Sequence, residues 1–321
     1  MTGRGCRVAP PMDTIRALVA DSAAPGRIAL RDVAAPEPAP TEAVIAVEVV
    51  SLNGGEVRAL RHADDGWRPG WDLAGVVMQE AADGTGPLAG SRVVGLAPGG
   101  SWAERVAVPT SRLTPLPDSV DAARAATLPV AGLTALRALE MADTVENQSV
   151  LVTGASGGVG RFAVQLAAHL GADVTALVSS PERGRPLPDL GAATVVVRVP
   201  ESAAYDVILE SVGGDVLGQA LHAVGPGGLV VSFGNSSGET TTFDVTRFYH
   251  QGGARLYAFA LRNELARSGS GAVDLARLVE MVAEGHLDTG IVFDAPWTDA
   301  SAAVEAFARR EITGKAVLRI S

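Results

Sequence analysis

The run QSVLVTGASGGVGRFAVQLAAHLGADVTALVSS, residues 148–180, constrains the fold most. An unbroken apolar stretch stops at a cluster of glycines, apolar residues then recur at helical spacing, and a second apolar stretch follows. Strands that are apolar at nearly every position are covered on both faces, as in parallel sheets flanked by helices. This βαβ unit commits its surroundings to an α/β layout. The alternation extends from about residue 122 to 262: a helix over 130–141, the strand YDVILESVGG, the helix DVLGQALHAVGPGG, and the strands GLVVSFGNS and ARLYAFALR.

The flanks read differently. IRALVA, TEAVIAVEVVSLN, DLAGVVMQE, SRVVGLAP and SWAERVAVP are short strand-like runs punctuated by Gly, Pro and Asp. PEPAPTE makes a solvated turn between two of them. LTPLPDSVDAARAATLP leads out of this region, with Asp118 or Ser119 as the cap of the next helix. A helix over 273–284 and the closing GKAVLRIS return to the β-rich part. The expected division is a β-rich domain of residues 1–121 and 266–321 and a parallel-sheet domain of residues 122–265.

At 321 residues, 47% of them apolar and 19% charged, the chain can bury a core for both domains. A net charge of -10 without any basic run argues against a nucleic-acid partner. Apolar runs are too short or too interrupted to span a bilayer. No apolar segment of a signal peptide follows MTGRGCRVAPP. Residues 1–12 are read as a flexible extension and the protein as cytoplasmic. Cys6, in that extension, is the one cysteine, so the chain can form neither an internal disulfide nor a thiolate cluster for zinc. All 26 basic residues except Lys315 are arginine, a skew that fits a GC-rich genome and makes Lys315 stand out.

The glycine cluster reads in two ways. Gly154, Ser156 and Gly158 spell G-x-S-x-G, the turn that presents a nucleophilic serine in hydrolases. The same stretch is A-x-G-x-x-G from Ala155 to Gly160, close to the turn that holds a dinucleotide pyrophosphate at a helix N-terminus. A hydrolase needs an acid and a histidine downstream, for which Asp274, Asp288, His222, His250 and His286 are available. It also wants several strands of the same sheet before the serine, whereas this turn follows the first. The phosphate cradle is the preferred reading. Gly157 lets the backbone approach the phosphates and Gly160 lets helix and strand pack closely, while Ala155, Ser156, Gly158 and Val159 complete the turn.

At the end of the second strand, SSPER places Ser179, Ser180 and Arg183 where an NAD site carries an acidic residue for the ribose hydroxyls. Two hydroxyls and a guanidinium suit a 2′-phosphate, so the expected cofactor is NADPH.

VVSLNGGEV, PGWDLAG, LPVAGLTALRAL, LVTGASGGVG and GKAVL, spread over residues 14–321, together resemble the quinone oxidoreductase branch of the medium-chain dehydrogenase/reductase superfamily. The resemblance implies a GroES-like catalytic domain beside a Rossmann domain. The zinc-dependent branch carries a GHE-like segment where this chain has Gly70, Trp71 and Asp72, and His62 in RALRHADDG reads as solvated, so no metal is expected. Without a Lewis acid the substrate must accept hydride readily, as quinones and enones do. The resemblance places Asn53 near the nicotinamide, bonding cofactor or substrate oxygen, with Glu56 at the Asp position of the family's N-x-x-D motif. Gly54 stands where the family often has Tyr or Phe. Water is therefore expected to protonate the enolate, with Asn53 orienting rather than titrating.

Thr134, in AGLTAL, matches the residue beside the nicotinamide and joins Asn53 as a candidate catalytic residue. The cofactor-binding candidates also include Arg198 at the 2′-phosphate, Gly213 and Gly234 at the strand ends that border the crevice, Phe259, and Lys315. For Lys315 near the domain interface, cofactor contact and simple packing both stay open. Trp67, Trp71, Phe243, Phe248 and Tyr249 are candidates to line an apolar pocket. The strand 254–261 is expected to be a sheet edge that pairs in a homodimer. An enoyl-thioester reductase and a non-catalytic NADPH-binding regulatory protein are the alternatives to a quinone or enone reductase; a serine hydrolase ranks fourth.

Overall fold

The computed structural model describes residues 13–200, 202–269 and 271–320. Cys6 and the expected extension 1–12 lie outside them. In chain order, the first region holds β1 (Thr14–Ala20), β2 (Ile28–Ala34), β3 (Glu42–Ser51), α1 (Gly54–Leu60), β4 (Asp72–Gln79), β5 (Arg92–Leu96), β6 (Arg105–Pro109) and β7 (Leu113–Pro115). α2 (Ala122–Ala126) and α3 (Leu133–Leu139), joined by a wide π-type turn over Leu128–Gly132, lead into the second region.

That region holds β8 (Ser149–Thr153), α4 (Gly158–His169), β9 (Asp173–Leu177), α5 (Pro181–Gly184), β10 (Thr194–Val196), β11 (Tyr205–Glu210), α6 (Gly214–Ala223), β12 (Val224–Ser232), α7 (Val245–Tyr249) and β13 (Arg255–Ala258). The chain continues through α8 (Leu261–Ser268), α9 (Ala272–Ala283), β14 (Ile291–Pro296), α10 (Ala300–Ala308) and β15 (Lys315–Arg319).

β8 to β13 form one parallel sheet in the order β10-β9-β8-β11-β12-β13, the doubly wound arrangement of a Rossmann domain. Its central strands, SVLVT and YDVILE, are buried along nearly their whole length, as their unbroken apolar runs require. α4 turns Phe162, Ala163, Leu166 and Ala167 inward. The second sheet, GroES-like, runs β14-β15-β3-β4-β5-β7 with β6 also on β3. β15 thus returns the C-terminal end of the chain to the centre of the first region, pairing antiparallel with β3. One core cluster takes Val150 and Phe162 from the parallel sheet and its helix together with Val49, Ala74, Val94 and Val317 from the other. The two regions therefore share a packed seam. Among the described residues, no helix is long and apolar enough to cross a membrane.

Several sequence expectations change. Asp121, rather than Asp118 or Ser119, caps α2: its Oδ1 accepts the N–H groups of Ala123 (2.8 Å) and Arg124 (3.4 Å). ARLYAFALR is strand only through Ala258, and Leu261 starts a helix in which Leu261 and Leu265 share the inward face at a spacing of one turn. DVLGQALHAVGPGG ends as helix at Ala223, because the glycines and Pro226 that follow suit the start of β12. The sequence expectations contain no β2, β7, β10, β14, α1, α5, α7 or α10.

Candidate active site

The strand order reverses between β8 and β11, which opens a crevice beyond their carboxyl ends. The turn 154–160 leaves β8 there and the turn 211–213 leaves β11. A Cβ on Gly160 would lie 2.3 Å from the Gly154 carbonyl oxygen and 2.7 Å from Ala155 Cα, so helix and turn meet backbone to backbone. α4 starts at Gly158 after Gly157, with no side chain accepting its first N–H groups. Those donors and the helix dipole remain available to an anion, so the cradle fits a dinucleotide pyrophosphate.

The residues a hydrolase would need are engaged elsewhere. His222 Nε2 accepts the Asp244 N–H (3.0 Å), His250 stacks on Tyr249, and His286 pairs with Glu284. Asp274 pairs with Arg137 and Arg277, and Asp288 with Arg161. Ser156 itself is buried.

Glu210 ends β11 with no exposure and shapes the opposite lip of the crevice. Its Oε1 accepts the N–H of Val212 (2.7 Å) and Gly213 (2.9 Å) and the Thr153 hydroxyl (3.3 Å). Burial pushes its carboxyl up in pKa, while these donors pull it back. Gly234 lies against this turn, where a Cβ would stand 2.8 Å from the Ser211 carbonyl oxygen.

Beyond β9, Ser179 is exposed and Ser180 is half-buried at the N-cap of α5. Arg183 donates to the carbonyl of Arg310, whose own guanidinium donates to the Ser236 carbonyl (2.7 Å). A cavity of ≈ 240 Å³ lies here, lined by Arg161, Glu182, Arg183, Pro186 and Thr313. Arg161, Arg310 and Thr313 escaped the sequence reading; the arginine pair just upstream of TGK was the available signal for Arg310. Arg198 follows β10 and is exposed.

Asn53, Glu56, Asp72 and Lys315 form a buried polar cluster at the seam, each 7% exposed or less. Asn53 closes β3's exit and opens α1, and its backbone N–H reaches Glu56 Oε2 (2.8 Å). Glu56 Oε1 accepts the Trp71 N–H (2.6 Å). Asp72 Oδ2 accepts from Asn53 Nδ2 (2.8 Å), and its Oδ1 takes the Val130 N–H (2.8 Å) of the π-type turn. Lys315 Nζ donates to Asn53 Oδ1 (2.8 Å) and the Leu52 carbonyl (3.1 Å), and stands 3.5 Å from Asp72 Oδ2.

Burial pushes Glu56 up to about 8, with the neighbouring Asp72 charge adding to it. Burial also raises Asp72 and lowers Lys315, and the opposite charge of each opposes both shifts.

Lys315, expected among the cofactor-binding residues, therefore has its ammonium engaged inside the protein. Only its stem reaches the cradle: a Cβ on Gly158 would lie 2.9 Å from Lys315 Cδ. Thr134 is buried in α3, and Phe259 is buried beyond β13 with its N–H on Ser232. The five aromatic candidates are not gathered into one pocket. Trp67 packs on the GroES-like core, Phe248 on a cluster of the parallel sheet, Phe243 edge-on against Phe248, and Tyr249 is exposed. Trp71 lies over Gly55. His62 is exposed, and among the described residues no group of three or more His, Cys, Asp or Glu is placed to hold a metal ion.

Residues 39–118 match the family model of the alcohol dehydrogenase GroES-like domain, and residues 158–277 that of the zinc-binding dehydrogenases. The chain is 35% identical over 295 residues to the spectinabilin polyketide synthase system protein NorB of Streptomyces orinoci. That match covers 87% of the chain and spans only 13% of the relative's length. The chloroplastic quinone-oxidoreductase QR1 of Triphysaria versicolor is 31% identical, with 95% of this chain and 98% of that one covered. Among solved structures, a mycobacterial protein in complex with NADPH superposes with a TM-score of 0.84 at 24% identity, covering 95% of this chain and 99% of that one. At that identity the likeness speaks for the fold.

Proposed function

The chain belongs to the medium-chain dehydrogenase/reductase superfamily, in its quinone oxidoreductase branch, and from that premise we propose that it is an NADPH-dependent, zinc-independent reductase of quinones or α,β-unsaturated carbonyls. One juxtaposition supports this most: the lysine whose stem packs on the glycine cradle also holds Asn53. NADPH, when bound, supplies hydride and is left as NADP+.

The chain's own residues bind and orient. The first N–H groups of α4, within the turn 155–160, hold the pyrophosphate. Ser179, Ser180, Arg183 and Arg198, joined by Arg310, hold the 2′-phosphate. Gly213 and Gly234 keep the crevice lip thin, and Thr134 and Phe259 back the nicotinamide end. Asn53 bonds the carbonyl oxygen on which negative charge grows as the substrate carbon accepts hydride. Gly54 offers no side chain beside it, so solvent supplies the proton. The substrate delocalises its own charge, because the cluster around Asn53 offers no metal-ligand set.

The reading keeps residues 1–121 and 266–321 as the catalytic domain and 122–265 as the cofactor domain, in a cytoplasmic homodimer. The exposed Leu256 on the outermost strand β13 favours pairing of that edge with a second copy. An enoyl-thioester reductase is the second reading, favoured by the identity to a polyketide synthase protein over most of this chain.

Titration with NADPH, followed by nicotinamide fluorescence, and turnover of 1,4-benzoquinone, 2-cyclohexenone and a crotonyl thioester test these readings. Turnover of the quinone or enone upholds the first, and turnover of the thioester alone moves to the second. Binding without turnover of any of them leaves a regulatory NADPH-binding protein. No binding sinks all three.

A further inference from the structure

Asn53 carries an amide whose two ends look alike in shape but not in chemistry. Its Oδ1 faces the Lys315 ammonium at 2.8 Å, which can only donate. Its Nδ2 faces Asp72 Oδ2 at 2.8 Å, which accepts. The two partners fix the amide from both sides, so the side chain cannot flip without opposing donor to donor and acceptor to acceptor. What remains uncommitted at the nitrogen end is one Nδ2 hydrogen.

The surroundings of Lys315 assign it as an ammonium. Its Nζ donates to two acceptors, the Leu52 carbonyl at 3.1 Å and Asn53 Oδ1, and forms an ion pair with Asp72 Oδ2 at 3.5 Å. A neutral amine would turn a lone pair toward one of these oxygens. A guanidinium, with five donors on a rigid plane, would exceed the acceptors present. This explains why a chain that otherwise uses arginine for every basic side chain keeps lysine here.

We propose that Lys315 is a positioning residue: with Asp72 it fixes Asn53 as a hydrogen-bond donor to the substrate's carbonyl oxygen, and it polarises that donor from behind. The proposal rests on the reductase reading and gives it a device it otherwise lacks. The ammonium draws electron density from Oδ1, which makes the far Nδ2–H a stronger donor toward an oxygen that gains negative charge. The stem of the same lysine packs on Gly158, so the donor is registered to the cofactor cradle through one side chain. An uncharged amide thus gains part of the pull a metal would exert, without Lys315 touching substrate or cofactor.

Because Lys315 is the only lysine, protein grown on 15N-lysine gives one side-chain nitrogen signal. The expected signal is that of an ammonium at neutral pH. It should shift in Asn53→Ala, and in NADP+-loaded wild type when the unreactive ketone cyclohexanone is added. The kinetic arm uses Lys315→Met combined with Asp72→Asn, which removes both charges and orphans neither. That double variant should bind NADPH within about twofold of wild type, because methionine keeps an unbranched apolar stem against Gly158 and the cradle backbone is unchanged. Its kcat for 2-cyclohexenone should fall about tenfold or more, a fraction of what losing a direct oxyanion donor costs.

A kcat within twofold of wild type, or a neutral-amine signal, overturns the proposal. If the double variant does not fold, the lysine signal decides: no shift with Asn53→Ala or with cyclohexanone overturns it, and both shifts uphold it. Failure of wild type to bind NADPH would instead strike the reductase reading, while the Asn53→Ala arm still reports on the Lys315–Asn53 bond.

Discussion

Two carboxylates, Glu210 at the lip of the crevice and Asp72 against Asn53, are each wholly buried, yet they are satisfied in opposite ways. Glu210 takes its donors from the next turn and from hydroxyls on adjacent strands, and among the described residues no cation pairs with it. Asp72 takes its partners from three distant parts of the chain: hydrogen bonds from Asn53 at the end of β3 and Val130 in the π-type turn, and an ion pair with Lys315 on β15. The first is a local splint that shapes one loop. The second is a tie between regions, and it balances a charge as well as hydrogen bonds. A buried acid held by uncharged donors leaves no charge stranded when it is removed, whereas a buried acid paired to an ammonium cannot be lost without leaving its partner uncompensated.

The widest gap between the two sites should open with Asp72→Ala. It strands the Lys315 ammonium at 2% exposure and should cost about 3–5 kcal/mol in urea unfolding. A loss below about 1 kcal/mol would show that the tie carries no net charge.

The pH dependence of stability comes next. Glu56 holds a proton in the folded protein up to about pH 8 and in the unfolded chain only below about 4.5. Its contribution is therefore complete below pH 4.5 and is lost as pH rises toward 8. Unfolding free energy should fall across that window by on the order of a few kcal/mol. Glu56→Gln should flatten the slope, and an unchanged slope would place the titration elsewhere.

Glu210→Gln is expected to be milder. The new amide can keep an oxygen toward only part of the donor set, so about 1–3 kcal/mol should be lost in thermal unfolding, with NADPH affinity weakened through the displaced turn. An Asp72-sized loss would erase the distinction between splint and tie.

The smallest effect is Arg183→Ala, which should leave stability within about 0.5 kcal/mol, since the residue is a half-exposed surface group. NADPH binding should weaken about tenfold while NADH binding holds, as expected for loss of one charge-assisted phosphate contact. Equal losses for both cofactors would remove Arg183 from the 2′-phosphate.

The sequence made the parallel sheet legible because strands buried on both faces are apolar almost throughout, as in SVLVT and YDVILE. It hid β14, whose IVFDAP alternates half-buried and exposed positions, and β10, which is only three residues long. The cap of α2 was misplaced by two or three residues because DSVD offers three capping side chains and only backbone geometry selects Asp121.

Asn53 and Lys315 each stood out alone, yet their contact spans 262 residues, and no local pattern announces a bond of that reach. Asp72 was visible only as a departure from a zinc-binding segment. Its role emerged once β15 was seen to pair with β3, which brings the last strand beside the exit of the third.

The solitary lysine has a practical consequence. With its ε-amino group sealed in the seam, the folded surface offers no lysine side chain to acylating or cross-linking reagents, and all its fixed positive charge is guanidinium. Side-chain amine reactivity therefore becomes a clock for opening of the seam: modification at Lys315 can proceed only as fast as the GroES-like and Rossmann halves let solvent in between them.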